Sequence, residues 1–398
     1  MDVVRKKRRS GRDEFEDQVA RLAQLMKDAS HTVFVTGAGI STNSGIPDYR
    51  GPDGIWTNAA KERALGADEH PWSTDLCRTH TLAKPTLTHR AVAALAREVE
   101  GRRFVQHVIT QNEDGLHRRS GLEADKLSEL HGNAFIELCG KYSEGDSDSD
   151  LDGSSSSSSD DDDDAVLMAK KLALKEKRKK TLAVRKVQDA AARVLRPAGC
   201  GAAVARDFVT YHGDTWNRTN ARGPHVTGRR CPHCHSEASS EAQPTAEPCA
   251  GPGWLLDSTV DFGEAPSGFP WGNNAVHRVE AAKDHMRRAD LVVVWGSTLS
   301  VLANYFDPWH PHSKWARAPL RLSRKKCKLV IVNKGKACDD ELALIRIEAD
   351  VDAVSAKLLE LLGLPPPPAY DVTEDPFLKT VRQPFAGEPA APWRIPGG

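Results

Sequence analysis

The sequence predicts an α/β protein built on a Rossmann-like parallel sheet, with a second, smaller module inserted into it. Three observations predict this fold: four short runs rich in β-branched residues alternate with helical stretches, a polar residue or glycine follows each run, and the periodicity is lost in one cysteine-containing region. Continuous apolar strands are typical of a parallel sheet covered on both faces. Ligands of such sheets bind beyond the carboxyl ends of the strands, so the residues that end the runs are candidate site residues.

The composition indicates one large domain with insertions and terminal segments, because a single domain of about 250 residues is ordinary and the chain has 398. Lysine plus arginine and aspartate plus glutamate each number 55, yet ten acidic residues fall between 144 and 164 and nine basic ones between 170 and 186. Eight irregularly spaced cysteines favour metal ligation or reduced thiols, and hence a reducing compartment. We expect neither a signal peptide nor a membrane span, since the longest strongly apolar run is LVVVW at 291–295.

The predicted elements begin with an amphipathic helix that follows a basic arm at residues 1–12. Its apolar residues recur at helical spacing and are Phe15, Val19, Leu22, Leu25 and Met26. The predicted strands lie at 32–39, 106–112, 290–297 and 328–335. A last helix, VDAVSAKLLELLGL, is expected before a run of four prolines.

The domain boundaries follow from these elements. Residues 13–138 and 256–364 are expected to form the sheet domain. Residues 139–255 change in composition to Ser, Asp and Lys, and then to Gly, Pro, Cys and His, which predicts an inserted module interrupted by low-complexity sequence at about 143–197. The acidic half of that insertion is too polar to form a core. Two roles stay open for the insertion: a solvated loop without function, or a basic helix in its second half that pairs with the acidic tract or contacts nucleic acid. Residues 365–398 are expected to be a Pro-containing tail.

The stretch TGAGISTNSGIPDYRGPDGIWT, residues 36–57, is the most informative motif. A Gly-x-Gly directly after a strand lets backbone N–H groups approach a pyrophosphate, but Thr42 stands where the usual third glycine would be. On Gly37 and Gly39 alone, a turn without a ligand is equally plausible. The polar loop GIPDYRG and the further motifs TQNEDGLHRRSG and LHGN, which also follow predicted strands, favour a ligand site.

These motifs together resemble the sirtuin family of NAD-dependent protein deacylases, and most closely its nuclear class IV branch. The resemblance also includes FGE at 262–264, Gly296 to Thr298 and Asn333, in the order of the chain. It implies NAD-dependent removal of acyl (acetyl) groups from lysine of protein substrates, with release of nicotinamide and O-acyl-ADP-ribose. The alternatives are a protein mono-ADP-ribosyltransferase, which uses the same cleavage with another acceptor, and a non-catalytic chromatin-binding scaffold.

The resemblance implies a role for each matching residue. Asn112 and Asp114 are expected to hold the nicotinamide carboxamide through amide and carboxylate hydrogen bonds. His131 is the candidate base, because an imidazole titrates near neutral pH, although a lone histidine in such a loop is more often structural. The expected NAD contacts are Gly37, Ala38, Gly39, Asp48, Tyr49, Arg50, Trp56, Gln111, Gly296, Ser297 and Asn333.

Two cysteine pairs are expected to hold one structural zinc ion. RRCPHC supplies Cys231 and Cys234, a pair that is strong by its spacing. By the resemblance the first pair begins at Cys139, where Tyr142 occupies the place of the partner. The next cysteine is Cys200, before VARDFV, which resembles the strand that follows the first pair. The expected ligands are therefore Cys139, Cys200, Cys231 and Cys234.

A loop of 60 residues between Cys139 and Cys200 does not forbid this pairing, because loop-closure entropy grows only logarithmically with length. Cys249 in place of Cys234 is the main alternative, and His233 and His235 also compete. The full expected fold is a Rossmann-like parallel sheet with a small zinc-binding module inserted.

The expected partners follow from the same reading. An acylated protein substrate, histone or another nuclear protein, is expected to lie as an added strand along Phe262, Gly263 and Glu264. Basic runs at Arg5 to Arg9 and Lys175 to Lys180 predict a nuclear location and a possible contact to nucleic acid or chromatin. No membrane partner is expected.

Overall fold

A computed structural model describes eleven ranges of the chain, namely residues 11–49, 51, 54–55, 57, 74–139, 200–210, 225–234, 253–260, 274–302, 327–338 and 340–397. The described strands are β1 (Thr32–Thr36), β2 (His107–Thr110), β3 (Leu127–Glu129), β4 (Ile136–Cys139), β5 (Ala203–Ala205), β6 (Val226–Arg230), β7 (Trp254–Asp257), β8 (Leu291–Trp295), β9 (Lys328–Val332) and β10 (Ile345–Ile347). The described helices are α1 (Gly11–Asp28), α2 (Thr74–Leu82), α3 (Leu87–Ala96), α4 (Leu116–Arg119), α5 (Val279–Arg288) and α6 (Val351–Leu362).

Six of the strands form one parallel sheet in the order β10, β9, β8, β1, β2, β3. At its centre, Val35 of β1 is paired with Ile109 of β2 on one side and with Val294 of β8 on the other. This topology confirms the predicted Rossmann-like sheet. Because all six strands run in the same direction, their carboxyl ends lie along one edge, where a ligand site is expected.

Helices cover both faces of this sheet, as the continuous apolar strands require. Along β1, Phe34 faces a core that contains the buried residues of α1, α3 and α6, whereas Val33 and Val35 face a core that contains those of α5. This alternation follows from the two-residue period of a strand. The helix predicted near the amino end packs as expected, with Val19 and Leu22 fully buried.

A second sheet of four strands has the order β5, β4, β7, β6, and its pairs are antiparallel. Its centre carries the buried carboxylate of Glu137, which accepts from Arg206 Nε at 2.5 Å and from Arg229 Nε at 2.6 Å. All three side chains are at most 1% exposed. This sheet is the small module inserted into the parallel-sheet domain.

The segment expected as a Pro-containing tail contacts the small sheet and also helix α3 of the parallel-sheet domain, where Arg90 Nη1 donates to Pro368 O, and we name residues 365–397 the C-terminal strap. Phe377 and Ile395 are buried in a shared apolar cluster with residues of β4. The strap donates Arg382 N–H to Ala205 O at 2.9 Å and accepts at Pro389 O from Arg229 Nη1 at 2.9 Å. The strap therefore holds the small sheet to the parallel-sheet domain.

Within the described ranges, none of the helices combines the length and the apolar character that crossing a membrane requires.

Candidate active site and zinc centre

The glycine loop after β1 lies directly against the end of β8. Gly37 N–H donates to Trp295 O at 3.0 Å, and Gly39 N–H donates to Gly296 O at 2.8 Å. A Cβ atom at Gly39 would lie 2.7 Å from Gly296 Cα, and one at Gly37 would lie 2.7 Å from Ser297 Cβ. Glycine at both positions is therefore what lets the loop close against the neighbouring strand end, which brings residues 37–39 and 296–297 into one site.

Asn112 and Asp114, which follow β2, are buried beside this loop. Asn112 Nδ2 donates to Gly37 O at 3.1 Å and to Ser41 Oγ at 3.2 Å. Asp114 accepts from Ser41 Oγ at 2.6 Å and from Leu116 N–H at 2.9 Å. An amide and a carboxylate are thus held at fixed positions next to the glycine loop, and Ser41 joins them.

The loop that carries His131 follows β3, and its shape depends on the next two residues, Gly132 and Asn133. Gly132 has a φ of +83°, and a Cβ atom there would lie 1.7 Å from Ser258 O. Asn133 Nδ2 donates to the buried carboxylate of Glu129 at 2.6 Å. The sequence HGN therefore fixes a tight turn that no larger residue at Gly132 would permit.

The ring of His131 is oriented by the backbone carbonyl of Gln111, which lies 2.8 Å from its Nδ1. Because a carbonyl only accepts, Nδ1 carries the proton and Nε2 is the acceptor nitrogen. Burial lowers the pKa of His131 to about 4, while the carbonyl contact acts in the opposite direction. The imidazole is therefore neutral near pH 7 and has the form of a base.

Three more expected NAD contacts lie at neighbouring strand ends. Gln111 Nε2 donates to Ser297 Oγ at 2.7 Å, which joins the ends of β2 and β8. Asn333 follows β9 and donates from Nδ2 to Gly335 O at 2.9 Å. The next residue, Lys334, is exposed and forms an ion pair with Asp350 at 2.7 Å. Amide and hydroxyl groups therefore line this edge of the sheet at the ends of β2, β8 and β9.

The loop after the glycine turn is described only in part. Asp48 accepts from Gly51 N–H at 2.7 Å, and Tyr49 Oη donates to Glu113 at 3.5 Å. Burial, with the nearby carboxylates of Glu113 and Asp114, raises the pKa of Tyr49 well above its usual value. Two expected NAD contacts of this loop, Arg50 and Trp56, lie outside the described residues.

The expected peptide-binding residues Phe262, Gly263 and Glu264 also lie outside the described residues. The described chain reaches Val260, whose N–H donates to His131 O at 3.0 Å. The segment that leads to the expected peptide strand therefore starts beside the candidate base.

The four expected cysteine ligands come together at the end of the small sheet. Cys139 Sγ lies 3.6 Å from Cys234 Sγ, Cys200 Sγ lies 3.6 Å from Cys231 Sγ, and all four sulfur atoms lie within 4.8 Å of one another. A tetrahedral zinc ion with Zn–S bonds of about 2.3 Å separates its sulfur ligands by about 3.8 Å. The group fits one zinc ion with a structural role.

The competing zinc ligands are Cys249, His233 and His235. Among the described residues, His233 is exposed and is not part of the sulfur group. Cys249 and His235 lie outside the described residues. The backbone supports the first pair, since Cys139 N–H donates to Ala202 O at 2.8 Å.

Sequence reasoning missed Ser41, which joins Asn112 and Asp114. It also missed Asp375 of the strap. Ser41 stands inside the GISTN motif, so its place in a ligand-binding loop was the available signal. Asp375 forms a buried ion pair with Arg119, which is 256 positions away in the sequence. No local pattern points to such a pair.

A parallel sheet with a glycine turn at its central strand, polar strand ends and a four-cysteine module defines a Rossmann-like α/β protein with a zinc-type insertion. The sequence profile of the Sir2 family matches residues 37–303. Human NAD-dependent protein deacetylase sirtuin-7 is 31% identical to the chain over 379 residues, which is 94% of this chain and 67% of the relative. The chain belongs to the Sir2 family.

Other similar proteins cover the chain to different extents. The Drosophila melanogaster NAD-dependent protein deacetylase Sirt6 is 47% identical over 125 residues, which is 31% of this chain and 35% of the relative. A solved structure of Sir2 bound to acetylated peptide is similar with a TM-score of 0.45 and 21% identity, and the match covers 87% of this chain and 98% of that chain.

Proposed function

We propose that this protein uses NAD to remove acyl groups, acetyl groups among them, from lysine side chains of proteins, with release of nicotinamide and O-acyl-ADP-ribose. The observation that carries the proposal is the arrangement of the glycine loop, the Asn112 and Asp114 pair and the neutral imidazole of His131 at one edge of the sheet. The similar human and Drosophila proteins are both named NAD-dependent protein deacetylases, which supports it.

NAD is consumed in this reaction, so we treat it as a substrate. When bound, NAD supplies a ribose C1′ carbon whose bond to nicotinamide breaks. Asn112 and Asp114 hold the carboxamide, while the side-chain-free loop at Gly37 and Gly39 admits the pyrophosphate to the backbone. The other proposed NAD contacts are Ala38, Asp48, Tyr49, Arg50, Trp56, Gln111, Gly296, Ser297 and Asn333.

The proposed nucleophile is the amide oxygen of the acyl-lysine. A bond forms from that oxygen to C1′ as the bond to nicotinamide breaks, and nicotinamide leaves. His131 Nε2 then accepts a proton from a ribose hydroxyl, and that hydroxyl oxygen bonds to the acyl carbon. The carbon–nitrogen bond to lysine breaks, lysine leaves as the amine, and one water molecule adds at the acyl carbon, so that O-acyl-ADP-ribose is released. The neutral ring and its defined tautomer suit this role, because a base must be unprotonated before it acts.

The test is an incubation of the purified chain with NAD and an acetyl-lysine peptide. We expect nicotinamide, deacetylated peptide and O-acetyl-ADP-ribose in equal amounts, and no nicotinamide with the unacetylated peptide. Transfer of ADP-ribose to the peptide or to the protein, without deacetylation, would favour a mono-ADP-ribosyltransferase. Absence of nicotinamide release under all conditions would favour a scaffold. A panel of longer acyl chains then defines the preferred substrate.

We also propose that the chain acts in the nucleus on histones or other chromatin-associated proteins. The basic run Arg5 to Arg9, with Lys175 to Lys180, has the composition of a nuclear import signal and of a nucleic-acid contact. The tagged full-length chain is expected in the nucleus, and alanine substitution of the first run is expected to reduce its nuclear fraction. A cytoplasmic signal from the unaltered chain would contradict this proposal.

We also propose the domain division that the sequence predicts. Residues 13–138 and 256–364 form the NAD-binding deacylase domain, and residues 139–255 form the zinc module, which the insertion at about 143–197 interrupts. Zinc on Cys139, Cys200, Cys231 and Cys234 supplies structural stability and takes no part in the reaction, because four thiolates complete a tetrahedral site.

A further inference from the structure

We propose that Asp375 of the C-terminal strap is a positioning residue for the nicotinamide pocket and that it acts through Arg119; this inference rests on the proposed function. Arg119 Nε donates to Asp375 Oδ2 at 3.1 Å, and the two side chains are 2% and 0% exposed. A buried guanidinium that loses its counter-charge is strongly unfavourable. The position of Arg119 therefore depends on Asp375.

Arg119 ties three segments of the chain together. Its Nη1 donates to Ala83 O at 2.7 Å, just after α2, and its Nη2 donates to Tyr370 Oη at 2.8 Å. Tyr370 Oη in turn donates to Asp375 Oδ2 at 2.6 Å. Asp375 also accepts from Phe377 N–H at 2.9 Å through Oδ1, so its carboxylate is held from both sides.

The helix that carries Arg119 leads directly to the pocket. Helix α4 has four residues and runs from Leu116 to Arg119. The N–H of Leu116 donates to Asp114 at 2.9 Å, and Asp114 accepts from Ser41 Oγ at 2.6 Å. A displacement of Arg119 thus reaches Asp114 within one helical turn.

Apolar contacts of the strap support the same elements. Phe377 belongs to a buried cluster that includes Ile55 and Leu76, and Tyr49 packs against that cluster. Ile55 and Leu76 flank the segment that follows the cofactor loop, and Leu76 lies on α2. The strap therefore supports elements on the side of the site where Asp114 lies. Gly296, Ser297 and Asn333, at the ends of β8 and β9, are proposed to contact the adenosine part of NAD. Those strand ends are held by other bonds, since Gly296 N–H donates to Val332 O at 2.9 Å and Asn333 N–H donates to Ile347 O at 3.1 Å.

This arrangement predicts that the loss of Asp375 changes one of two binding constants, whereas a general loss of stability would change neither. An inhibition constant for nicotinamide and a dissociation constant for ADP-ribose are both independent of the fraction of folded protein. If Asp375 positions Asp114, its loss changes the first constant and leaves the second unchanged. If Asp375 serves stability alone, neither constant changes and the measured kcat falls with the folded fraction.

The experiment compares Asp375→Asn and Tyr370→Phe with Asp371→Asn, the matched control. Asp371 is an exposed strap residue whose carboxylate accepts from Thr373 within its own turn. We expect Asp375→Asn to raise the nicotinamide inhibition constant about tenfold and to lower kcat to a similar degree, with unchanged affinity for ADP-ribose. Tyr370→Phe should act in the same direction with a smaller effect, and Asp371→Asn should match the unaltered chain.

Each outcome decides the question. Unchanged inhibition constants in an active protein would overturn the inference while leaving the proposed function intact, and so would an equal change in Asp371→Asn. If Asp375→Asn does not fold, Tyr370→Phe decides the matter by the same two constants. An unaltered chain that releases no nicotinamide from NAD and acetyl-lysine peptide overturns the proposed function, and the inference with it.

Discussion

His131 Nδ1 donates to the backbone carbonyl of Gln111 over 2.8 Å, and Gln111 N–H donates to Thr36 O over 3.1 Å. These two bonds link the ends of β3, β2 and β1 in sequence. Among the described residues, the contact that orients the ring of the proposed base is with a backbone carbonyl. Because a carbonyl does not titrate, this contact favours the proton on Nδ1 wherever the ring is neutral, and burial lowers the pKa of the ring.

The first prediction concerns pH. Burial lowers the pKa of His131 to about 4, below its ordinary value, so the neutral form predominates at pH 5 and above. The proposed base should lose activity only as the pH falls through about 4. We expect the kcat/KM for NAD to show no decline attributable to His131 between pH 8 and pH 6. A loss centred near pH 6.5 would contradict this, because it would indicate an imidazole with its ordinary pKa.

The second prediction is that His131→Tyr stops turnover while NAD binding stays largely intact. The substitution removes the proposed base, whose loss should lower kcat by at least about a hundredfold, and leaves the glycine loop unchanged. Calorimetry with NAD and a nicotinamide-release assay measure the two effects. Comparable turnover in the variant would contradict the proposed mechanism.

Much of the fold was predictable because its strands are continuous apolar runs. The four predicted strands correspond to β1, β2, β8 and β9, and the predicted first and last helices correspond to α1 and α6. The sheet edges β3 and β10 were not predicted, since each has only three residues and too short a run to show a period. Their pairing comes from the tertiary fold.

The candidate site was predictable where motif residues follow strands, as Gln111 and His131 do. The strap was not, because a proline-rich segment without periodicity gives no signal that Phe377 and Ile395 are buried. Its contacts are formed with distant parts of the chain. The same limit applies to the pairing of Arg119 with Asp375, which only the folded chain brings together.

The third prediction concerns the buried carboxylate of the small sheet. Glu137→Ala leaves Arg206 and Arg229 without their shared partner, and breaking a buried ion pair in this way costs about 3–5 kcal/mol. We expect a correspondingly lower free energy of unfolding in a denaturant titration. Glu374→Ala, at an exposed ion pair with Lys379, is the control and should leave stability nearly unchanged. Equal stability of both variants would contradict the assignment of Glu137.

The fourth prediction assigns the zinc ligands. Cys200→Ser removes one thiolate from the sulfur group, so we expect lower zinc content and a lower unfolding temperature. Cys338→Ser, at an exposed cysteine outside the group, is the control. Native mass spectrometry measures the zinc content of each variant. A full zinc equivalent in Cys200→Ser together with its loss in Cys249→Ser would replace the present ligand set with one that includes Cys249.

The last prediction is that deleting residues 143–197 preserves zinc content and basal deacylation. Strands β4 and β5 are antiparallel neighbours, with Leu138 opposite Ala203, so the two ends of the insertion already lie side by side. After the deletion, residues 140–142 and 198–199 still connect Cys139 to Cys200, which is a loop length that antiparallel strands commonly use. The acidic part of the deleted sequence offers little apolar area to bury, so its removal should take little from the core.

The deletion is best compared with Cys200→Ser in the same assays. If the ligands fix the module, the shortened chain keeps zinc and activity whereas the cysteine variant loses zinc, because the metal rather than the loop holds the two strand ends. Loss of activity in the shortened chain with full zinc content would show that the insertion itself takes part in the reaction or in substrate binding. Loss of zinc in the shortened chain would instead show that the five remaining residues strain the Cys139 and Cys200 pair.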